Sequence, residues 1–312
     1  MRLSEHVLEE IAEDLGAAGR KVENGGNVIE LRNGPIQTHV TLEAVSRSAE
    51  EGTRVTRVLK VESEISGFTE ELDEQMMAGL NRHATLGGLV RDRDSGKFLV
   101  VSRIPLYEED VKTMRFCVFL AATAALCQAE SLMLFSADPV TVGMGKLIDE
   151  APPGIGSMWS AEDFELAARF LKDMNLFVNA DPGGLCVEFP LENGAFSAIF
   201  GHRTSLLTLK NHFEHPAVGK GLLFVLKLMG THKADVAASM AHHLNWKEYK
   251  GLGMAAMSGS WTTTTDEGGG RAGLAFTGFW PNTVYLQCSA LELVVWMLYR
   301  NEWVKKELGD MA

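Results

Sequence analysis

The chain has 312 residues, 46% of them hydrophobic and 22% charged, and a formal net charge of -12 at neutral pH. That composition belongs to a globular protein with room for about two domains. So acidic a chain argues against a general nucleic-acid or anionic-membrane binder, because those neutralise phosphate with Lys and Arg.

Ser4 is a good N-cap, and Val7, Ile11 and Leu15 follow at helical spacing until Gly16, Gly19 and Asn24-Gly25-Gly26 stop the helix. No apolar run of signal-peptide length follows Met1, and a cytoplasmic location is expected. A strand from Val28 to Leu31 meets Asn33-Gly34, a hairpin turn signal. Ile36, Thr38, Val40, Leu42 and Ala44 then alternate with Gln37, His39, Thr41 and Glu43, so one sheet face meets a core and the other meets water. Val55, Leu59, Val61 and Ile65 repeat the pattern against Thr56, Lys60, Glu62 and Glu64, which makes an antiparallel meander.

Thr69 is the expected cap of the next helix, whose stripe is Leu72, Met76 and Leu80. Strands over 86–91 and 98–104 flank the Asp94-Ser95-Gly96 turn, and Pro105 is expected to stop the second of them. An apolar helix follows over 108–132. Its greasiest part, Phe116 to Cys127, is too short to span a bilayer. Residues 136–159 carry Gly143, Gly145, Pro152, Pro153, Gly154 and Gly156 and read as a linker. Its Met144, Ile155, Met158 and Trp159 imply that it packs on something.

Ser160 and Asp163 form a capping box, and Phe164, Ala167, Leu171 and Met174 make the stripe of the helix it opens. Strands are expected near 185–189, 195–200, 205–209 and 222–228, one more than the first half has, or one broken around Gly201. Thr231 is the expected cap of the helix with Val236, Met240 and Leu244. A hairpin over 254–263 and 271–279 follows, then a last helix over 283–308. Moving 164 positions along from Leu72, Met76, Leu80, Asn81 and Gly87 gives Val236, Met240, Leu244, Asn245 and Gly251, an internal repeat without a gap. The expected fold class is α+β: two tandem αβββαββα repeats, residues 1–135 and 160–312, each a sheet with helices on one face.

Chemistry-bearing motifs are sparse. Cys117, Cys127, Cys186 and Cys288 form no C-x-x-C pair, and three of them lie in apolar helical stretches, as buried thiols do. His212-Phe213-Glu214-His215, with His202 nearby, lacks a second ligand pair and reads as a polar loop rather than a zinc site. His242 and His243 are helix neighbours pointing about 100° apart, unsuited to one ion, and with His83 they read as structural. Gly143-Met144-Gly145-Lys146 fails the phosphate-loop pattern at positions 140 and 147. No catalytic residue, metal or cofactor is assigned. Trp296, Tyr299 and Trp303 form a second stripe on the last helix beside Cys288, Leu291, Val295 and Leu298. With Trp159 they are the candidate partner-binding residues, since aromatic anchors favour binding hot spots.

The Leu80-Asn81 pair leading into Leu86-Gly87-Gly88-Leu89, the Lys97–Pro105 strand closing in Ile-Pro-Leu, and the apolar helix after it carry a resemblance. The chain resembles the type III secretion chaperone-like fold and its relatives in the YbjN family of sensory-transduction regulators, over 1–133 and more loosely over 160–308. The resemblance implies a non-enzymatic module that binds a protein or peptide through sheet or last-helix surfaces. Single-domain relatives pair with a second copy; here the tandem is expected to pair with itself, giving a monomer or a weak dimer with an internal pseudo-two-fold. The other function open at this point is a small-molecule sensor or enzyme with its site between the repeats.

Overall fold

A computed structural model describes residues 28–33, 36–44, 55–65, 72–82, 87–107, 159–190, 204–215, 219–251, 259–265, 270–282 and 289–310. The helices expected over 4–15 and 108–132, Cys117, Cys127, Cys288, His83, His202, the linker as far as 158 and the strand over 195–200 lie outside them. The fold is mixed α+β. Among the described residues it has two antiparallel sheets and four helices.

In chain order the first sheet comprises β1 (Val28–Asn33), β2 (Ile36–Ala44), β3 (Val55–Ile65), β4 (Gly88–Arg91) and β5 (Phe98–Tyr107), with helix α1 (Glu74–Asn81) between β3 and β4. The strands lie in the order β1-β2-β3-β5-β4. The alternation read in the sequence holds: Thr38, Val40, Val61, Ser63 and Ile65 are buried, while Gln37, His39, Lys60, Glu62 and Glu64 are half-buried on the other face. Two of the buried positions are hydroxyls, and they satisfy each other: Thr38 Oγ1 and Ser63 Oγ are 2.8 Å apart across the β2–β3 pair.

Three expectations are corrected in this half. The cap of α1 is Asp73 in place of the expected Thr69; its carboxylate accepts the Met76 N–H at 2.7 Å. The buried stripe of α1 is rotated by one position. Met77, Ala78 and Asn81 face inward with Leu72 just before the helix, while Met76 is 48% exposed. Pro105 does not stop its strand: β5 runs on to Tyr107, with Pro105 opposite Val58.

The second half opens with α2 (Ala161–Asp173), where Ser160 and Asp163 make the capping box and Phe164, Ala167 and Leu171 are fully buried. Then come β6 (Val178–Asp181), β7 (Gly184–Pro190), β8 (Thr204–His215), β9 (Gly219–Lys233), α3 (Ala234–Gly251), β10 (Ser260–Thr265), β11 (Arg271–Pro281) and α4 (Ser289–Asp310). The sheet order is β10-β11-β9-β8-β7-β6. A strand not expected from the sequence, β6, is four residues long and entered through Asn175 in the left-handed region (φ 62°). The His212–His215 stretch is not a loop but the end of β8, with a register shift between Lys210 and Phe213 and His212 at φ 56°. Thr231 does not cap α3, because β9 runs directly into the helix; its hydroxyl instead accepts the Arg271 Nε–H at 2.9 Å. In the last hairpin the described strand is Ser260–Thr265, and 254–258 lie outside the described residues.

One row of side chains crosses the whole second sheet: Trp261, Phe276, Leu226, Leu207, Val187 and Val178. It belongs to the main core, to which α2, α3 and α4 contribute Phe164, Leu171, Met240, Leu244, Leu293, Met297 and Val304. Fully burying each large apolar side chain there is worth roughly 1.5–3 kcal/mol. No helix among the described residues is long and apolar enough to cross a membrane.

Candidate functional site

Helix ends and strand edges leave backbone groups that need partners. The outermost strands β4 and β10 meet that need in one way. Asn81, the last residue of α1, donates from Nδ2 to the Leu89 carbonyl (3.0 Å) and accepts the Leu89 N–H on Oδ1 (2.7 Å). Asn245, within α3, does the same for Trp261, at 2.8 and 2.7 Å. Each buried carboxamide stands where a further strand would pair. The edge is closed by a side chain, and another chain cannot add there.

The two halves meet at these edges. α1 packs against α3 and β10, and α3 packs against β4. Thr262 Oγ1 donates to the Ala78 carbonyl of α1 at 2.6 Å, and Arg82 Nε donates to the Thr263 carbonyl at 2.8 Å. Trp246 and Tyr249 of α3 pack on Val90, Leu99 and Val101 of the first sheet. Lys250 Nζ closes the contact from its far end, 2.6 Å from Asp94 and 3.3 Å from Asp92. A Cβ on Gly88 would overlap the Ser260 side chain, so β4 and β10 approach too closely there for any other residue. Burial, and then the Glu62 carboxylate, hold the Tyr249 phenol far above the usual tyrosine range, so it stays protonated and donates to Glu62. The hydrogen bond from Lys250 to Asp94 raises the lysine further and keeps it charged.

Beneath this contact lies a buried ion pair that the sequence reading missed. Arg300 of α4 donates from Nε and Nη2 to the two Glu248 oxygens, 2.8 Å each, with both side chains fully buried. Trp261 Nε1 donates to the same carboxylate at 2.6 Å, and the guanidinium lies over the Phe276 ring, 3.7 Å from its centroid. The signal was present: Glu248 stands four residues after Leu244 and Arg300 three after Met297, each a charge on a core stripe.

The predicted aromatic stripe divides. Trp296 and Trp303 are half-buried against the core, Trp296 edge-on to Trp280 at 5.6 Å. Tyr299 is 47% exposed, and Val295, one turn earlier, is 41% exposed. Trp159 is corrected: at 2% exposure it is part of the core, with its carbonyl accepting Asn211 Nδ2 at 2.8 Å, and it offers nothing to a partner. Another exposed apolar side chain, Phe177, is 86% exposed at the entry to β6.

A cleft opens where Arg82 meets the second sheet. Its volume is about 310 Å³, and it is lined by Arg82, Val225, Thr262, Thr263, Thr264, Ala275 and Thr277. Thr262, Thr264, Ala275, Thr277 and Val225 share the sheet face opposite the Trp261–Phe276 row. Gly273 sits at a register shift in β11, and the Thr264 hydroxyl occupies the space a Cβ there would take. His212 and His215 lie away from this cleft on β8, where the His215 ring packs on Phe279 at 5.1 Å. Among the described residues, no three His, Cys, Asp or Glu side chains come together as a bound cation would need.

No family model, curated protein or solved structure matches the chain.

Proposed function

We propose that the chain is a tandem of two chaperone-like α+β units, paired as an internal pseudo-dimer, and that it works as a non-enzymatic protein-binding module. The observation that carries the binding role is the Val295–Tyr299 strip on α4, exposed beside half-buried Trp296 and Trp303 while the other side of the helix is core. Such a helix already has its core stripe, so a second apolar strip with aromatic anchors suits a partner.

Three features support the tandem reading. With β6 set aside, the second sheet runs β7-β8-β9-β11-β10, the counterpart of β1-β2-β3-β5-β4 with the helix inserted at the same step. Asn81 and Asn245, equivalent in the sequence repeat, clamp equivalent strands. The contacts are reciprocal, each middle helix lying against the outer strand of the other half. A linker of some twenty residues puts the halves at millimolar effective concentration, so pairing within one chain outcompetes pairing between chains. The resemblance to YbjN and type III secretion chaperone-like proteins points to a protein or peptide partner and a regulatory role in the cytoplasm.

The test is capture from a lysate of the source cells on the immobilised full chain, compared with a Val295→Asp, Tyr299→Ala variant. A partner held stoichiometrically by the wild type and lost by the variant, with unchanged thermal unfolding, supports the role. Equal retention by both proteins removes α4 as the binding surface.

A further inference from the structure

We infer that the cleft beside Arg82 is a binding site for a small molecule bearing an oxyanion, a carboxylate or a phosphate. The inference rests on the seating of α1 against β10 and is independent of the α4 surface.

The argument starts from the guanidinium. Arginine has five N–H donors arranged as a side-on fork, Nε with Nη2, and an end-on fork, Nη1 with Nη2. In Arg82 the side-on fork is committed to Thr263: Nε donates to its carbonyl at 2.8 Å and Nη2 to its hydroxyl at 3.3 Å. These bonds fix the plane of the group, and the end-on fork keeps its donors. No carboxylate among the described residues pairs with Arg82, although the chain carries 41 Asp and Glu against 29 Lys and Arg. A preoriented guanidinium with no counter-ion among the described residues, in so acidic a protein, is suited to an anion from outside, and its planar fork matches the two oxygens of a carboxylate or phosphate.

The walls agree with that reading. No acidic side chain among the described residues lines the cleft. Thr262 already donates its proton to Ala78, whereas the Thr264 and Thr277 hydroxyls have no hydrogen-bond partner among the described residues and remain able to donate. Val225 and Ala275 give an apolar floor. A few placed polar groups over a small apolar floor is the ordinary make-up of a ligand pocket, and about 310 Å³ is at the small end of the range. The matching place on the first sheet is closed. There α3, 18 residues long against 8 for α1, lays Tyr249 over Lys60, with the ammonium 4.7 Å from the ring centroid. The cleft therefore lies on the second sheet and not at the matching place on the first, with Arg82 brought to it from the first half.

The test is a chemical-shift titration of the ¹⁵N-labelled full chain with sodium phosphate and, separately, sodium malonate, against sodium chloride at equal ionic strength. The expected result is saturable shifts in Thr262–Thr264 and Ala275–Thr277 with at least one oxyanion and none with chloride. The tighter of the two shows whether the natural ligand presents phosphate or carboxylate. Arg82→Lys keeps the charge and loses the fork, and should weaken binding about tenfold. Thr277→Val keeps the shape and loses the donor, and should weaken it about fivefold. The α4 variant Val295→Asp, Tyr299→Ala should bind the anion as wild type does. Shifts no different from chloride, or affinity unchanged by either Arg82→Lys or Thr277→Val, overturn the inference.

Discussion

Counted from the asparagine-clamped strand inward, one row of the first sheet reads Leu89, Val100, Ser63, Thr38. The matching row of the second reads Trp261, Phe276, Leu226, Leu207. The strand order and the clamp are the same, and the filling is different. In the second sheet each large side chain contributes roughly 1.5–3 kcal/mol of burial. In the first, the Thr38–Ser63 pair yields only about 1 kcal/mol net, because its hydroxyls exchange water for each other. What the two halves hold in common is therefore the device that closes a sheet edge, and what separates them is the source of stability. The second sheet adds one more element without counterpart in that row of the first, the Glu248–Arg300 pair under Trp261.

The largest expected effect breaks that pair. Glu248→Ala leaves Arg300 charged and fully buried without its carboxylate, and urea unfolding should show a loss of about 3–5 kcal/mol. Replacing both partners by leucine should recover most of it, since a well-packed apolar pair is often as stable as a buried ionic one. Recovery would mark the pair as a requirement of its own geometry rather than of the fold.

The clamps come next. Asn81→Ala and Asn245→Ala each orphan one N–H and one C=O on a buried strand edge, and each should cost roughly 2–4 kcal/mol. Near-equal losses in thermal unfolding would support one device used twice. If one substitution were silent, the common ground between the halves would shrink to strand order.

A smaller change makes the first row more like the second. Thr38→Val alone should cost about 1–2 kcal/mol by stranding the Ser63 hydroxyl. Adding Ser63→Ala should bring stability back to within about 1 kcal/mol of wild type. A double variant worse than the single would mean that the hydroxyl pair sets register rather than merely filling space.

The last effect is on pH. Burial depresses His232, His242 and His243 below the ordinary 6.5, and His242 sits between Glu74, which opposes the shift, and Arg91, Arg93 and His243, which add to it. The unfolded chain then binds more protons than the folded one over the window below 6.5. Stability should be complete above that value and fall as pH drops through it toward the lowered folded values. Since His242 lies on α3, which packs against α1, His242→Gln should flatten the profile of unfolding midpoint against pH. An unchanged slope in that variant would assign the effect to the other two histidines.

Much of the fold was legible because it rests on local pattern. Strict alternation marks β2 and β3, Ser160 and Asp163 mark the start of α2, and the shift by 164 positions relates Asn81 to Asn245, the two residues that clamp β4 and β10. The misses have local causes too. Met76 and Val236 fit an apolar stripe yet are exposed, because the face turned inward is set by small residues, Ala78 on α1 and Ala237, Ala238 and Ala241 on α3. β6 is too short to show alternation and follows a helix end where Asn175 reads as a turn. The cleft depends on Arg82 meeting Thr263, 181 positions away, which no periodicity reports.

The central claim is that the two halves pair within one chain. Equal amounts of ¹⁴N and ¹⁵N chains are unfolded together, refolded, and treated with a carbodiimide that joins amines to carboxylates in direct contact. Lys250 and Asp94, 2.6 Å apart, should form the cross-link. Pairing within the chain predicts that mass spectrometry finds the linked peptides only as all-light and all-heavy pairs. Light–heavy pairs, making up about half of the linked material as random exchange requires, would place the contact between chains and contradict the account.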